Sequence, residues 1–259
     1  MNAFDAFVLG VIEGLTEFLP ISSTGHLILA STILKIPTSE FLKTFEIAIQ
    51  CGAILAVLLV YFKKLFNIAL LKRLILAFLP TALIGLLLYN VIKTYFLGNT
   101  TVVLVTLFFG GILLIVFEWW YCKKHVMPSE ADGAREEIGY KKAFALGLFQ
   151  SLAMIPGVSR SGATILGGLS LGISRRAIVE FSFLLAIPTM LAATGLDVLK
   201  SYKDIASGNI SLLLIGIITS FLVALAVIRW FLSYIQKHSF IGFGIYRIVI
   251  AMVFWFILL

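Results

Sequence analysis

Long apolar runs separated by short polar stretches divide the chain, and six of these runs are long enough to cross a bilayer. They lie at about 44–62, 74–92, 101–121, 177–198, 210–230 and 241–259. Because about 20 consecutive apolar residues span the hydrocarbon core as an α-helix, the pattern predicts six transmembrane helices. The runs are continuous, unlike the alternating segments of about ten residues that are typical of an outer-membrane barrel.

Two further apolar segments are each broken near their middle by a proline, glycine and hydroxyl-rich stretch. Residues 6–34 are interrupted at 20–25, and residues 142–172 are interrupted at 156–162. Each arm is too short to span a bilayer. A break at membrane depth is tolerated only inside protein or against a water-filled cavity. The pattern therefore predicts two re-entrant helical hairpins.

A weak internal repeat relates the two broken segments. A shift of 137 residues superposes Gly10 on Gly147, Leu15 on Leu152, Ser22 on Ser159, Gly25 on Gly162, Ile28 on Ile165, Leu29 on Leu166 and Glu13 on Gln150. Further along the chain, a shift of 134 places Glu46 on Glu180. We predict a single integral membrane domain over 1–259. It would consist of an inverted-topology repeat, with repeat 1 at about 1–121, a cytoplasmic loop at 122–141 and repeat 2 at about 142–259. The predicted fold is all-α and polytopic.

The composition supports a membrane protein and argues against a nucleic-acid partner. Hydrophobic residues make up 61% of the chain and charged residues 13%, against about 45–50% and about 25% in soluble domains. The net charge of +7 indicates cytoplasmic loops or contact with anionic membrane lipids. No basic soluble segment interleaved with aromatic residues is present to bind nucleic acid.

The distribution of basic residues sets the expected orientation. Thirteen lie on one side of the predicted helices: Lys63, Lys64, Lys72, Arg73, Lys123, Lys124, Arg135, Lys141, Lys142, Arg175, Arg176, Arg229 and Lys237. Five lie on the other: Lys35, Lys43, Lys93, Lys200 and Lys203. The positive-inside rule places the first set in the cytoplasm and both termini outside. The first hairpin then enters from outside and the second from the cytoplasm.

The first hairpin contains two carboxylates close to its break. Glu13 and Glu17 are four residues apart and share one face of a helix. Two buried carboxylates repel each other unless a cation lies between them, and a hard divalent ion such as Mg²⁺ prefers oxygen ligands of this kind. The structural alternative is a polar helix face at the headgroups, or carboxylates paired with lysine or arginine.

A run of hydroxyl side chains follows the break in the first hairpin. Ser22, Ser23, Thr24 and Gly25 are placed where a second helix begins, and the free N–H groups of a helix N-terminus bind anions. The hydroxyls could equally be helix caps. His26 lies one helical turn beyond Ser23. It could act as a general base or as a nucleophile toward phosphorus, although a lone histidine is more often structural.

The second hairpin supplies an arginine among hydroxyls at the start of another predicted helix. Ser159, Arg160, Ser161 and Thr164 suit bidentate phosphate binding. The alternative is that Arg160 forms a buried ion pair with one of the glutamates at membrane depth. Both roles are compatible in a metal–phosphate site. We therefore expect Glu17 and Arg160 to lie close together.

The two motifs together resemble a known family. Glu13-Gly-Leu-Thr-Glu-Phe-Leu-Pro-Ile-Ser-Ser-Thr-Gly-His26 and Pro156-Gly-Val-Ser-Arg-Ser-Gly-Ala-Thr164 resemble the bacterial undecaprenyl-diphosphate phosphatases of the bacitracin-resistance type, and the similarity covers essentially the whole chain. The resemblance implies a multi-pass hydrolase of the bacterial inner membrane. It would convert the lipid undecaprenyl diphosphate to undecaprenyl phosphate and inorganic phosphate, recycling the carrier for cell-wall polymers. Because bacitracin sequesters that substrate, resistance would follow.

The resemblance also implies roles for individual residues, in an active site facing outside. Glu13 and Glu17 would bind a divalent metal, Mg²⁺ or Ca²⁺. Catalysis would fall to Glu17, Ser23, His26 and Arg160. Substrate binding would fall to Ser22, Thr24, Ser159, Arg160, Ser161 and Thr164.

Several alternatives stay open from the sequence alone. The attacking group could be Ser23, His26 or a water activated by His26. A transporter or lipid flippase is the rival function, because inverted repeats with broken helices are typical of transporters. The density of groups suited to phosphate chemistry favours the hydrolase. A structural or receptor protein fits poorly because there is no soluble domain. A homodimer is one option for the assembly.

Overall fold

The computed structural model describes residues 1–91, 99–124, 137–207 and 209–258, and in these residues the chain is helical, with no strand. The α-helices are α1 (Ala3–Thr16), α2 (Ser23–Ile33), α3 (Glu40–Tyr61), α4 (Ile68–Val91), α5 (Thr100–Lys124), α6 (Tyr140–Ser151), α7 (Arg160–Ser170), α8 (Arg175–Ser207), α9 (Ile210–Lys237) and α10 (Ile241–Leu258). Short 3₁₀ turns at Phe62–Phe66 and Leu152–Met154 follow α3 and α6.

Six of these helices are long and apolar enough to cross a membrane: α3, α4, α5, α8, α9 and α10. They confirm the six predicted spans. Several continue beyond the predicted limits, and α8 reaches 33 residues, because polar residues at a helix end do not contribute to an apolar run. Of the predicted loop 122–141, residues 125–136 lie outside the described part of the chain. Helix α5 continues to Lys124 and α6 begins at Tyr140.

The two broken segments form pairs of short helices. Helix α1 has 14 residues and contacts α2, which has 11, while α6 has 12 residues and contacts α7, which has 11. A helix rises about 1.5 Å per residue, so none of the four reaches the roughly 30 Å of a hydrocarbon core. An irregular turn joins α1 to α2, and the 3₁₀ turn Leu152–Met154 followed by an irregular stretch joins α6 to α7.

Small residues let each pair pack closely against a long helix. Helix α1 packs on α9 and α6 packs on α4. A Cβ atom added to Gly10 would lie 2.7 Å from the carbonyl oxygen of Gly216, and one added to Gly147 would lie 2.1 Å from that of Ala77. Glycine is therefore required at both contacts. Such small-residue contacts allow helices inside a membrane to approach closely.

Ion pairs gather at the end of the bundle where α5 ends and α8 begins. Arg175 and Glu118 form a buried pair, with a nitrogen–oxygen distance of 2.6 Å and side chains only 7% and 0% exposed. The Arg175 guanidinium also lies over the ring of Phe240. Lys64 pairs with Glu180 nearby. The first pair joins α5 to α8, and the second joins the 3₁₀ turn after α3 to α8. This end of the bundle is therefore held together by charge as well as by apolar packing.

We expect Glu118→Ala to destabilise the fold strongly, because it leaves the Arg175 charge buried without its carboxylate. Removing one member of a buried ion pair costs about 3–5 kcal/mol. Thermal unfolding in detergent, followed by circular dichroism, should show a clearly lower midpoint. The control is the double variant Glu118→Leu/Arg175→Met, which removes both charges and should unfold near the wild-type temperature. A wild-type midpoint for Glu118→Ala alone would contradict the prediction.

Candidate active site

The turns of the two short helix pairs meet inside the bundle. The carbonyl oxygen of Leu19, in the first turn, accepts hydrogen bonds from the hydroxyls of Ser161 at 2.7 Å and Ser159 at 3.2 Å. Ser159 also caps α7, since its hydroxyl accepts a hydrogen bond from the backbone N–H of Gly162 at 3.1 Å. The two predicted motifs are therefore in direct contact.

Glu17 lies at the centre of this contact and connects the two motifs. Its Oε1 atom is 3.3 Å from Nη2 of Arg160, and the two side chains are only 7% and 12% exposed, respectively. Its Oε2 atom accepts a hydrogen bond from the Ser23 hydroxyl at 2.5 Å. Nη1 of Arg160 donates to the carbonyl oxygen of Ser182 at 2.8 Å. The expected meeting of Glu17 and Arg160 is thus observed, and one carboxylate contacts both a cation and a hydroxyl.

A cavity of about 140 Å³ opens beside this carboxylate. Its lining is mostly polar and comprises Glu17, Ser22, Ser23, Thr24, Gln50, Ala153, Val158, Ser159, Arg160 and Met190. The volume is roughly ten times the space that a single water molecule needs. Helices α2 and α7 begin at Ser23 and Arg160, so the positive ends of two helix dipoles point toward the cavity, as suits an anion.

Two of the predicted substrate-binding hydroxyls are fully buried and lie away from the cavity. Thr164 is fully buried, and its hydroxyl donates to the carbonyl oxygen of Arg160 at 2.9 Å. Ser161 is also fully buried and bonds to Leu19. Neither residue lines the cavity, whereas Ser22, Thr24 and Ser159 do. A direct substrate contact for Ser161 and Thr164 stays a prediction.

His26 is buried next to the cavity, and both of its ring nitrogens have partners. Nδ1 lies 2.7 Å from the carbonyl oxygen of Ser22, and Nε2 lies 2.9 Å from the hydroxyl of Tyr246. Because a carbonyl oxygen only accepts, Nδ1 carries the hydrogen. In the neutral ring Nε2 then accepts from Tyr246. The imidazole therefore contacts the backbone before Ser23, and it is not among the groups that line the cavity.

Glu13 is the other predicted metal ligand, and it is fully buried. Neither of its carboxylate oxygens has a hydrogen-bond partner among the described residues. The charged groups that interact with it are Glu17, Glu46 and Arg160. Adjacent buried carboxylates repel unless a cation compensates them, and oxygen donors suit Mg²⁺ or Ca²⁺. In the described residues no group of three or more histidine, cysteine, aspartate or glutamate side chains gathers as a metal site. Proteins nevertheless often bind Mg²⁺ with only one or two carboxylates. Phosphate oxygens of the substrate and water molecules then supply the other ligands.

Sequence reasoning did not assign a role to Arg247, which holds the two turns together. Its buried guanidinium donates to the carbonyl oxygens of Pro20 at 3.1 Å and Gly157 at 3.0 Å, one in each turn. It also donates to those of Thr106 at 3.0 Å and Leu107 at 3.3 Å on α5. The one available signal was an arginine in the middle of the apolar run that forms α10.

Tyr246 and Gln50 are also close to the site. The sequence indicated Gln50 only as one of several polar residues at membrane depth that could support the site, and it did not indicate Tyr246. Tyr246 lies on α10 and contacts His26, while Gln50 lies on α3 and lines the cavity. Gln50 was recognisable as a polar side chain inside an apolar run. Tyrosine is common near membrane interfaces, so Tyr246 gave no signal of its own.

The fold and the site define a multi-pass helical membrane protein with a polar site among its helices. An arginine, a serine and a glutamate share hydrogen bonds there, and two helix N-termini face the cavity. The sequence matches the family described as "Bacitracin resistance protein BacA" over residues 6–253. The chain belongs to this family.

Similar proteins match along almost their whole length. A protein of Aquifex aeolicus named "Undecaprenyl-diphosphatase" is 51% identical over 255 residues, which cover 98% of each chain. A protein of Wolinella succinogenes with the same name is 48% identical over 259 residues, covering 100% of this chain and 99% of the relative. A third, from Bdellovibrio bacteriovorus, is 46% identical over 254 residues, covering 98% of this chain and 95% of the relative.

Proposed function

We propose that this protein hydrolyses undecaprenyl diphosphate to undecaprenyl phosphate and inorganic phosphate, and thereby confers resistance to bacitracin. The observation that carries the proposal is the single carboxylate of Glu17, which contacts the hydroxyl of Ser23 and the guanidinium of Arg160. A hydroxyl beside a base and a cation beside a cavity are what phosphoryl transfer requires. The full-length similarity to proteins named undecaprenyl-diphosphatase supports the same reaction.

The two short helix pairs are re-entrant hairpins of an inverted repeat in this proposal. The helix contacts support that arrangement. If α1 to α5 are matched in order with α6 to α10, most of the large helix–helix contacts have a counterpart or map onto themselves. The contact of α1 with α9 becomes that of α6 with α4, and the contact of α3 with α9 becomes that of α8 with α4. The contacts of α3 with α8 and of α5 with α10 map onto themselves. Inverted repeats place a site where the broken helices meet.

The site faces the outer side of the inner membrane in this proposal, with both termini outside. The supporting observation is that cations on different helices are found together at one end of the bundle. Lys64 and Arg176 both pair with Glu180 there, and Arg175 pairs with Glu118. The positive-inside rule assigns that end to the cytoplasm. The first turn, which carries Glu17 and Ser23, then belongs to the hairpin that enters from outside.

The geometry around Glu17 favours Ser23 as the attacking group. The Ser23 hydroxyl would attack the terminal phosphorus while Glu17 accepts its proton. The new bond joins Oγ to phosphorus as the bridging phosphorus–oxygen bond breaks, and undecaprenyl phosphate leaves. Water then hydrolyses the phosphoserine and releases inorganic phosphate. Arg160 and the N-termini of α2 and α7 would hold the phosphoryl oxygens and stabilise their charge.

Glu13 and Glu17 would hold a divalent cation, Mg²⁺ or Ca²⁺. When bound, such an ion neutralises negative charge on phosphoryl oxygens and helps to orient them. The support is the buried carboxylate of Glu13, which has no hydrogen-bond partner in the described chain although it lies near Glu17.

Purified protein in detergent micelles should release inorganic phosphate from undecaprenyl diphosphate. We expect EDTA to abolish the release and added Mg²⁺ or Ca²⁺ to restore it. The control is EDTA presaturated with Mg²⁺, which should have no effect. Because micelles do not separate two compartments, a carrier or flippase would release nothing. No phosphate release with either metal would contradict the proposed function, and release unaffected by EDTA would contradict the metal site.

A further inference from the structure

The backbone immediately before Ser23 is strained. Ser22 has φ 71° and ψ 96°, in a region that a residue with a side chain rarely adopts. Such a conformation is unfavourable and persists only when surrounding contacts hold it. Ser22 is the N-cap of α2 and directly precedes Ser23. Its backbone therefore sets the direction in which the Ser23 hydroxyl leaves the turn toward Glu17.

His26 supplies the contacts that hold this turn. The carbonyl oxygen of Ser22 accepts hydrogen bonds from the backbone N–H of His26 at 3.2 Å and from its Nδ1 at 2.7 Å. The second bond requires the neutral tautomer in which Nδ1 carries the hydrogen, or the doubly protonated ring. The tautomer of His26 is thus linked to the shape of the turn.

Tyr246 completes the arrangement from a distant part of the chain. Its hydroxyl lies 2.9 Å from Nε2 of His26, and the two rings are nearly parallel, with an angle of 4° between them. A hydroxyl that donates to Nε2 favours the tautomer with the hydrogen on Nδ1. The next residue on α10, Arg247, is bonded to the carbonyl oxygens of Pro20 and Gly157. The tyrosine is therefore presented by a helix that is itself fixed to both turns.

We propose that Tyr246 is a positioning residue for the proposed phosphatase reaction, acting through His26. Its hydroxyl keeps the hydrogen of the imidazole on Nδ1, the imidazole holds the strained carbonyl of Ser22, and the turn presents Ser23 to Glu17. Tyr246 does not line the cavity and does not contact the reacting atoms in this scheme. The inference rests on the proposed function, since the residue that it positions is the proposed nucleophile.

A mechanism in which His26 is the nucleophile predicts the opposite change in turnover when the Tyr246 hydroxyl is removed. If Nε2 of His26 attacked phosphorus, Tyr246 would occupy the lone pair that has to react. Tyr246→Phe would then free the imidazole and leave turnover unchanged or raise it. If Tyr246 positions Ser23, the same variant lowers turnover.

We expect Tyr246→Phe to lower kcat about 10- to 100-fold, the range that a small misplacement of a reacting group produces. KM should change little, because Arg160 and Ser159 are untouched. In a His26→Ala background, Tyr246→Phe should cause no further loss, because the hydroxyl acts only through the imidazole. The matched control is Tyr61→Phe. The hydroxyl of Tyr61 is buried and has no hydrogen-bond partner within the described chain, so its removal should leave turnover at the wild-type value.

A measurement independent of catalysis separates this inference from the proposed function. The chain has three histidines, and ¹⁵N spectra of the imidazole-labelled protein in micelles report the tautomer of each. The His26 signal is identified by its loss in His26→Gln. Wild-type protein should show the hydrogen on Nδ1, and Tyr246→Phe should shift His26 to a mixture of tautomers.

Unchanged His26 signals together with unchanged turnover in Tyr246→Phe would overturn the inference, and so would an increased kcat. Multiplicative losses in Tyr246→Phe and His26→Ala would also overturn it, because the two residues would then act separately. If wild-type protein released no phosphate, the proposed function would fail. The spectra would still decide whether Tyr246 fixes the imidazole.

Discussion

Ser23→Ala is expected to lower phosphate release by roughly 10³-fold or more, the scale of loss when a nucleophile that acts together with its base is removed. The physical reason is the 2.5 Å hydrogen bond from the Ser23 hydroxyl to Glu17. That bond joins the proposed attacking oxygen to the group that accepts its proton. Initial rates of phosphate release in detergent, with saturating undecaprenyl diphosphate and Mg²⁺, measure the effect.

The control for this variant is Ser31→Ala on the same helix. Ser31 is also buried, but its hydroxyl donates to the carbonyl oxygen of Ile28 at 3.1 Å and does not line the cavity. We expect Ser31→Ala to retain nearly the wild-type rate. Turnover of Ser23→Ala within about tenfold of the wild-type value would contradict a nucleophilic Ser23, since such a loss is far below the expected scale.

Trapping the covalent intermediate distinguishes the three candidates for the attacking group. A substrate labelled in its terminal phosphate should leave label on Ser23 after rapid acid quenching, because a phosphoserine survives acid. Label lost in acid but retained in base would indicate His26. If no label is trapped and solvent oxygen enters phosphate in a single step, the attacking group is water.

The six spanning helices and the two breaks could be predicted because they depend on local composition. An apolar run of about 20 residues has few stable alternatives in a bilayer, and the prolines at positions 20 and 156 interrupt such runs. The proximity of Glu17 to Arg160 followed from the repeat and from the charge pattern together. Each placed the two breaks on opposed hairpins whose turns would meet.

The partners within the site could not be predicted, because they depend on an irregular turn. Regular helical spacing from Ser23 to His26 suggested that the two side chains act together. The positive φ of Ser22 instead directs Ser23 to Glu17, while His26 bonds to the Ser22 carbonyl oxygen and to Tyr246. A backbone outlier of this kind has no signal in residue types alone.

The contributions of α10 were hidden for a different reason. Arg247 was recognisable as a cation at membrane depth, but its partners are backbone carbonyl groups. Those of Pro20 and Gly157 lie 227 and 90 residues away along the chain. Every residue has a carbonyl group, so residue identity does not show which one is bound. Gly157 also has φ +88°, a conformation that glycine adopts readily, and this lets the second turn present its carbonyl oxygen to Arg247.

Arg160→Lys is expected to lower kcat/KM by about 10²- to 10³-fold. This is the usual loss when one preorganised hydrogen-bond donor to a charged transition state is removed. The guanidinium is held at one end, since Nη1 donates to the carbonyl oxygen of Ser182 at 2.8 Å. This leaves Nη2 beside Glu17 and the cavity. Lysine keeps the charge but carries a single nitrogen on a flexible stem, so it cannot keep the backbone anchor and bind the phosphate in the same geometry.

The matched control is Arg229→Lys, an exposed position on α9 that does not line the cavity, and this variant should retain the wild-type rate. Arg160→Ala is a weaker test of chemistry, because it also leaves the buried carboxylate of Glu17 without its cation, at a cost of about 3–5 kcal/mol in stability. Arg160→Lys avoids that cost and should unfold near the wild-type temperature. Near-normal kcat/KM in a folded Arg160→Lys protein would show that charge alone suffices. The fork geometry that joins Ser182, Glu17 and the cavity would then have no role in phosphate transfer.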